Sequence, residues 1–160
     1  MSEQLYYLDS SALAKAYVRE VGSRRLATWV GDRRSGFSPS ARLYVSRLVF
    51  PETMSAITRR RNNRSLSREA VGGLWRALLA DFMGDKPPYV IIDPTEVIIA
   101  HAAILVATYG MRGYDAVQLA TALSIQVRLD DPASLVFVCS DGDLSRAAKA
   151  VGLATADPAT

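Results

Sequence analysis

One cysteine and one histidine in 160 residues exclude several chemistries at once. Cys139 alone cannot close an intramolecular disulfide, so a secreted scaffold held by cystines is ruled out and a reducing compartment fits. With so few of its usual ligands, a zinc centre is not expected. Any Ser-His-Asp chemistry would have to rest on His101, which stands in an apolar helical stretch where a core or surface role explains it better. No phosphate-binding glycine loop and no Gly-x-Ser-x-Gly elbow occurs. Asp141-Gly142-Asp143 could open a calcium loop, but Arg146 stands where such a loop needs glycine and Gly152 where it needs glutamate.

Long apolar runs are scarce as well. Val97–Ala107 is broken by His101 and is too short to span a bilayer. Met1–Ser11 carries Glu3 and no cationic leader, so no signal peptide is expected and a cytoplasmic location is. What the chain does have is 49% hydrophobic and 22% charged residues, the balance of an ordinary cored domain. Residues 1–156 are expected to form one domain and 157–160 a short frayed tail. Net charge is only +3, but Arg59, Arg60, Arg61, Arg64 and Arg68 crowd one stretch. Cations there suit either a helix C-terminus or a phosphate backbone.

Short apolar runs alternate with longer helical ones, which predicts an α/β fold with a mainly parallel sheet. Strands are expected at Leu5–Leu8, Leu43–Val45, Tyr89–Ile92, Leu135–Cys139 and, as an edge, Leu153–Thr155. Helices are expected over Ser10–Arg19, from Gly22 to about Arg33, from a cap at Ser46 to about Arg61, and over Ser67–Phe82. Further helices run from a cap at Asp93 to Tyr109, from near Asp115, and over Asp141–Ala150. Pro94 and Glu96 support the Asp93 cap.

Four acids stand where such a fold builds sites. Asp9 follows the first strand and Asp141 follows the most apolar one, and open parallel sheets bind ligands beyond the carboxyl ends of their strands. Glu52 lies early in the helix after the second strand, and Asp115 in the first turn of the helix that precedes the strand at Leu135–Cys139. Each taken alone is explained as a helix cap or first-turn acid. Together they form a candidate cluster, with Asp143 two residues beyond Asp141. Clustered carboxylates repel one another unless a cation sits among them, and an all-oxygen set suits Mg2+ or Mn2+.

Tyr7-Leu8-Asp9-Ser10-Ser11-Ala12-Leu13-Ala14-Lys15 resembles the opening of PIN-domain proteins. Glu52 matches that family's second acid, Gly113-Tyr114-Asp115-Ala116-Val117-Gln118-Leu119-Ala120-Thr121-Ala122 is similar to its third motif, and Phe137-Val138-Cys139-Ser140-Asp141-Gly142-Asp143-Leu144 is similar to its last. The ordered set spans nearly the whole chain. The resemblance implies a three-layer α/β/α sandwich around a parallel sheet and a ribonuclease that depends on Mg2+ or Mn2+. Among its members it is the VapC-type toxins, restrained by a small antitoxin protein encoded nearby and commonly homodimeric, that fit best.

On this reading Asp9, Glu52, Asp115 and Asp141 hold one or two ions, with Asp143 assisting, and a water activated there attacks an RNA phosphate. Ser10 and Ser140 are expected to orient the carboxylates. Lys15, Arg59, Arg60, Arg61 and Arg64 are candidates for RNA contact. Two alternatives stand beside it. One is a nuclease of the same fold in RNA maturation or DNA processing, without a toxin role. The other is a non-catalytic acidic pocket used for binding. A phosphate-accepting receiver would need a lysine late in the sheet, whereas Lys149 falls inside the last helix.

Overall fold

The computed structural model describes residues 3–160. Five strands, β1 (Gln4–Leu8), β4 (Ala41–Ser46), β5 (Val90–Ile92), β6 (Leu135–Val138) and β7 (Ala154–Ala156), form one sheet in the order β5-β4-β1-β6-β7. Every neighbouring pair in it is parallel. Parallel neighbours need crossovers, and helices supply them. These are α1 (Ser10–Tyr17), α2 (Ser23–Val30), α3 (Val49–Asn62), α4 (Arg68–Met83), α5 (Glu96–Tyr109), α6 (Gly113–Gln126) and α7 (Gly142–Ala150).

Strand side chains alternate between two cores. Tyr7, Tyr44, Leu135 and Phe137 pack with α5, α6 and α7. Leu8, Leu43, Val45 and Val138 pack with α1 to α4 on the opposite face. The period of two therefore buries both sheet faces and produces the α/β/α sandwich. β1 is the centre, with β4 on one side and β6 on the other, so strand order reverses there and a crevice opens beyond its carboxyl end.

Several local expectations need correction. Asp93 is not the cap of α5. Thr95 is: its hydroxyl accepts from the Ile98 N–H at 3.3 Å, because the Asp93 carboxylate is taken by Arg47 at the end of β4. Ser46 is the last residue of β4 and not a helix cap; α3 begins at Val49. Pro51 thus falls in the first turn, where its missing N–H breaks no bond. The second helix stops at Val30, short of Arg33, because Gly31 has φ +85° and an added Cβ would lie 2.4 Å from the Ser38 nitrogen. The chain reverses there into a small hairpin, β2 (Gly31–Asp32) with β3 (Gly36–Phe37), which no apolar pattern marks.

The segment after β7 is not frayed. Pro158 is buried, and Asp157 accepts hydrogen bonds from the Ser140 hydroxyl and the Ala159 N–H, each at 2.8 Å. An added Cβ at Gly22 would come within 2.8 Å of the Pro158 backbone. No single helix among the described residues is long and apolar enough to cross a membrane.

Candidate active site

Asp9 caps α1 at the carboxyl end of β1, and its own N–H bonds the Val138 carbonyl of β6. Its carboxylate accepts from the Ala12 N–H and from the Ser11 hydroxyl, each at 2.7 Å. Ser11 in turn accepts from the Ser140 N–H at 2.9 Å, so one hydroxyl joins the ends of β1 and β6. Only 3% of Asp9 is exposed. Burial pushes its carboxyl up to about 7; the Ala12 and Ser11 bonds oppose the shift, and the charges of Glu52 and Asp115 add to it.

Glu52 projects from the first turn of α3. It accepts from the Gln118 side-chain amide at 2.8 Å, and Gln118 accepts from the Tyr7 hydroxyl at 2.6 Å. Gln118 is 1% exposed, and Tyr7 is fully buried and stacked on Phe137 at 5.4 Å. A core relay from β1 through α6 therefore fixes Glu52. Burial raises the Glu52 carboxyl, the Gln118 bond opposes this, Asp115 adds to it, and the nearby Ser10 hydroxyl lowers it.

Asp115 sits in the first turn of α6. Burial raises its carboxyl, the Asp141 charge adds to this, and Arg112 counters it. Asp141 caps α7, accepting from the N–H groups of Asp143 and Leu144 at 2.9 Å each. The four acids stand on four elements; the charges of Glu52 and Asp115 bear on Asp9, that of Asp115 on Glu52, and that of Asp141 on Asp115.

The other residues singled out in the sequence divide. Ser10 lies beside Glu52, and the hydroxyl that bonds Asp9 belongs to Ser11. The Ser140 hydroxyl is directed to Asp157, while its backbone serves Ser11. Asp143 is exposed and paired with Arg146, so it is turned to a neighbour on its own helix. Lys15 and Arg60 both pair with Glu20, which internalises charges expected to meet RNA. Arg59 is exposed and lines a groove with Ser10 and Glu52. Arg61 and Arg64 are exposed beyond it. Gln118, Tyr7 and Asp157 were not anticipated. A polar residue three positions after Asp115, inside an otherwise small and apolar helix run, is the signal that marks Gln118.

The donor set fits a hard divalent cation. All four acids offer oxygen, and two of them are forced upward in pKa by burial and mutual repulsion together with the fully desolvated Asp9, a deficit that a cation offsets. Burial pushes the Cys139 thiol up to about 12, so it offers no thiolate. Among the described residues no three of these ligand types stand close enough together to hold a metal ion.

Residues 6–150 match the PIN domain family. The chain belongs to the PIN-domain family. It is 31% identical to Ribonuclease VapC45 of Mycobacterium tuberculosis (strain CDC 1551 / Oshkosh) over 149 residues, which is 92% of each chain. Among solved structures, FitAcB from Neisseria gonorrhoeae superposes with a TM-score of 0.63 at 18% identity, covering 96% of this PIN-domain chain and 97% of the other. A toxin-antitoxin complex from Klebsiella pneumoniae superposes with a TM-score of 0.51 at 15% identity, covering 85% and 86%. These two likenesses bear on the fold, and the VapC45 match covers most of the length of both chains.

Proposed function

We propose that this PIN-domain protein is a metal-dependent endoribonuclease acting in the cytoplasm as the toxin of a toxin–antitoxin pair. The observation that carries the reading is the run of charge effects linking Asp9 to Glu52 and Asp115, and Asp115 to Asp141, with Asp9 and Asp141 placed after the carboxyl ends of β1 and β6. The kinship with a protein named as a ribonuclease supports the reaction class, and the fold shared with a toxin-antitoxin complex supports the toxin role.

Asp9, Glu52, Asp115 and Asp141 would hold Mg2+ or Mn2+, with Asp143 free to assist once released from Arg146. When bound, such an ion lowers the pKa of water and offsets charge on the scissile phosphate. The chain's own contribution is to prearrange oxygen ligands. Ser11 and the Ala12 N–H fix the rotamer of Asp9. The Tyr7–Gln118 relay fixes Glu52. The α7 N–H groups hold Asp141, and Ser10 stands beside Glu52 where it orients that carboxylate. Ser140 ties the β6 end to Ser11. Arg59 supplies positive charge beside the groove, and Arg61 and Arg64 extend it. Lys15 and Arg60 serve chiefly to anchor Glu20.

The direct test is incubation of a mixed RNA pool with Mn2+ or Mg2+, comparing wild type, Asp9→Asn and a chelator control. Cleavage that needs the metal and disappears in the variant is expected. Cleavage untouched by the variant or the chelator would remove the proposal. The toxin role is tested apart from it: induction should arrest growth, and co-expression of the adjacent small gene should relieve the arrest. Cleavage without toxicity would favour RNA maturation. A homodimer is also proposed, since Val97 and Ile104, seven residues apart on one side of apolar α5, are both well exposed and exposed apolar patches mark interaction surfaces. Light scattering across a concentration series checks it, and a constant monomer mass would rule it out.

A further inference from the structure

The groove that begins at Ser10 and Glu52 does not end at the carboxylates. It encloses about 820 Å³ and runs along α3 past Ser55, Arg59 and Asn63, and Tyr114, the residue before Asp115, also lines it. Glu52, Ser55 and Arg59 recur at helical spacing and so share one face of α3. Arg59 lies seven residues beyond Glu52, about 10.5 Å along the axis at 1.5 Å per residue. That is the length of about three nucleotides at the stacked spacing of about 3.4 Å.

The basic side chains along this groove are not equivalent. Lys15 and Arg60 are both held by Glu20. Arg59 donates to the Ser55 hydroxyl at 2.9 Å, a neutral partner, and pairs with no carboxylate among the described residues. Its charge is the one left for a phosphate. At the other end Tyr114 is 56% exposed, and its ring pairs with no other aromatic ring among the described residues. It directly precedes Asp115 in the first turn of α6. A neutral aromatic face suits that place, because a cation there would collapse onto the carboxylates. Every base has a π-face, so stacking on such a ring needs no particular sequence. It does need an unpaired base, which a duplex does not offer.

We propose that Tyr114 and Arg59 mark the two ends of a single-strand track, Tyr114 stacking on a base beside the scissile bond and Arg59 holding a phosphate about three nucleotides away. The inference rests on the nuclease reading and assigns Tyr114 and Arg59 their contacts with the strand.

The test uses full-length protein with Mg2+ and a short single-stranded RNA carrying 2-aminopurine at successive positions. Binding is followed by stopped-flow fluorescence and cleavage by steady-state rates. Stacking quenches the probe at one position in wild type and in Tyr114→Trp, and the quench is lost in Tyr114→Leu. In the Leu variant KM rises about tenfold while kcat changes less than about threefold. Arg59→Ala weakens binding and lowers the slope of log K against log salt by about 0.7, the share of one phosphate on a single strand. The same sequence as a duplex binds at least about tenfold more weakly. A Leu variant with unchanged quench and unchanged KM overturns this inference and leaves the nuclease reading intact. Failure of wild type to bind any RNA overturns both.

Discussion

At Asp9 burial and charge act against each other. Its carboxyl belongs near 3.8 in the open chain and is pushed up to about 7 in the fold. Between those values the folded state holds a proton that the unfolded state has released. In metal-free protein the contribution of this residue to stability is therefore fully present below about pH 4 and lost as pH rises through about 7, by up to about 4 kcal/mol. Asn at position 9 accepts the same two hydrogen bonds and carries no charge. The metal-free Asp9→Asn variant should then show a flatter stability profile and exceed wild type at pH 8, measured by urea unfolding in chelator. Parallel profiles for the two proteins would contradict this.

Gln118 has a different role at the same scale. It touches no solvent to speak of, yet it bonds both Tyr7 and Glu52. Gln118→Leu leaves the buried Tyr7 hydroxyl unpaired and Glu52 free to rotate. The loss should be about 1–3 kcal/mol of stability and about 10–100-fold in affinity for Mn2+. Thermal melts and a metal titration check the two effects separately. If affinity is unchanged while stability falls, the relay supports the core and has no bearing on the site.

At the scale of elements, caps and strand ends decide what the chain pattern leaves open. Thr95 caps α5, and Asp93 is paired with Arg47 on the surface. Thr95→Ala should cost about 1 kcal/mol, and Asp93→Ala clearly less, since exposed ion pairs contribute little. Equal losses in denaturant melts would restore Asp93 as the cap. Local sequence favoured Asp93 because Pro94 and Glu96 follow it. What it could not show was Arg47, which follows the distant strand β4. The same limit applies to Lys15 and Arg60. Their charge is visible in the chain, but Glu20, which takes it, becomes their neighbour only after folding. The hairpin at Gly31–Phe37 and the docked tail at Asp157–Pro158 were likewise invisible, because steric contacts and bonds to distant residues hold them in place.

At the scale of the whole molecule the pattern was far more legible. Alternating apolar strands such as Leu135–Val138, and helices broken at Gly22 and Gly110, specify a parallel sheet covered on both faces. Placing Asp9 and Asp141 at strand ends then brings them near one another wherever strand order reverses. Glu52 and Asp115 required more, since their approach depends on how α3 and α6 pack across the sheet edge, and the residue that fixes one to the other's helix is the buried Gln118. These four carboxylates are proposed to be one cation site. Isothermal titration of Mn2+ into wild type, Asp9→Asn and Asp115→Asn tests that proposal. Saturable binding to wild type that weakens at least about tenfold in each variant is expected. No binding by folded wild type, or binding that neither substitution disturbs, would contradict it.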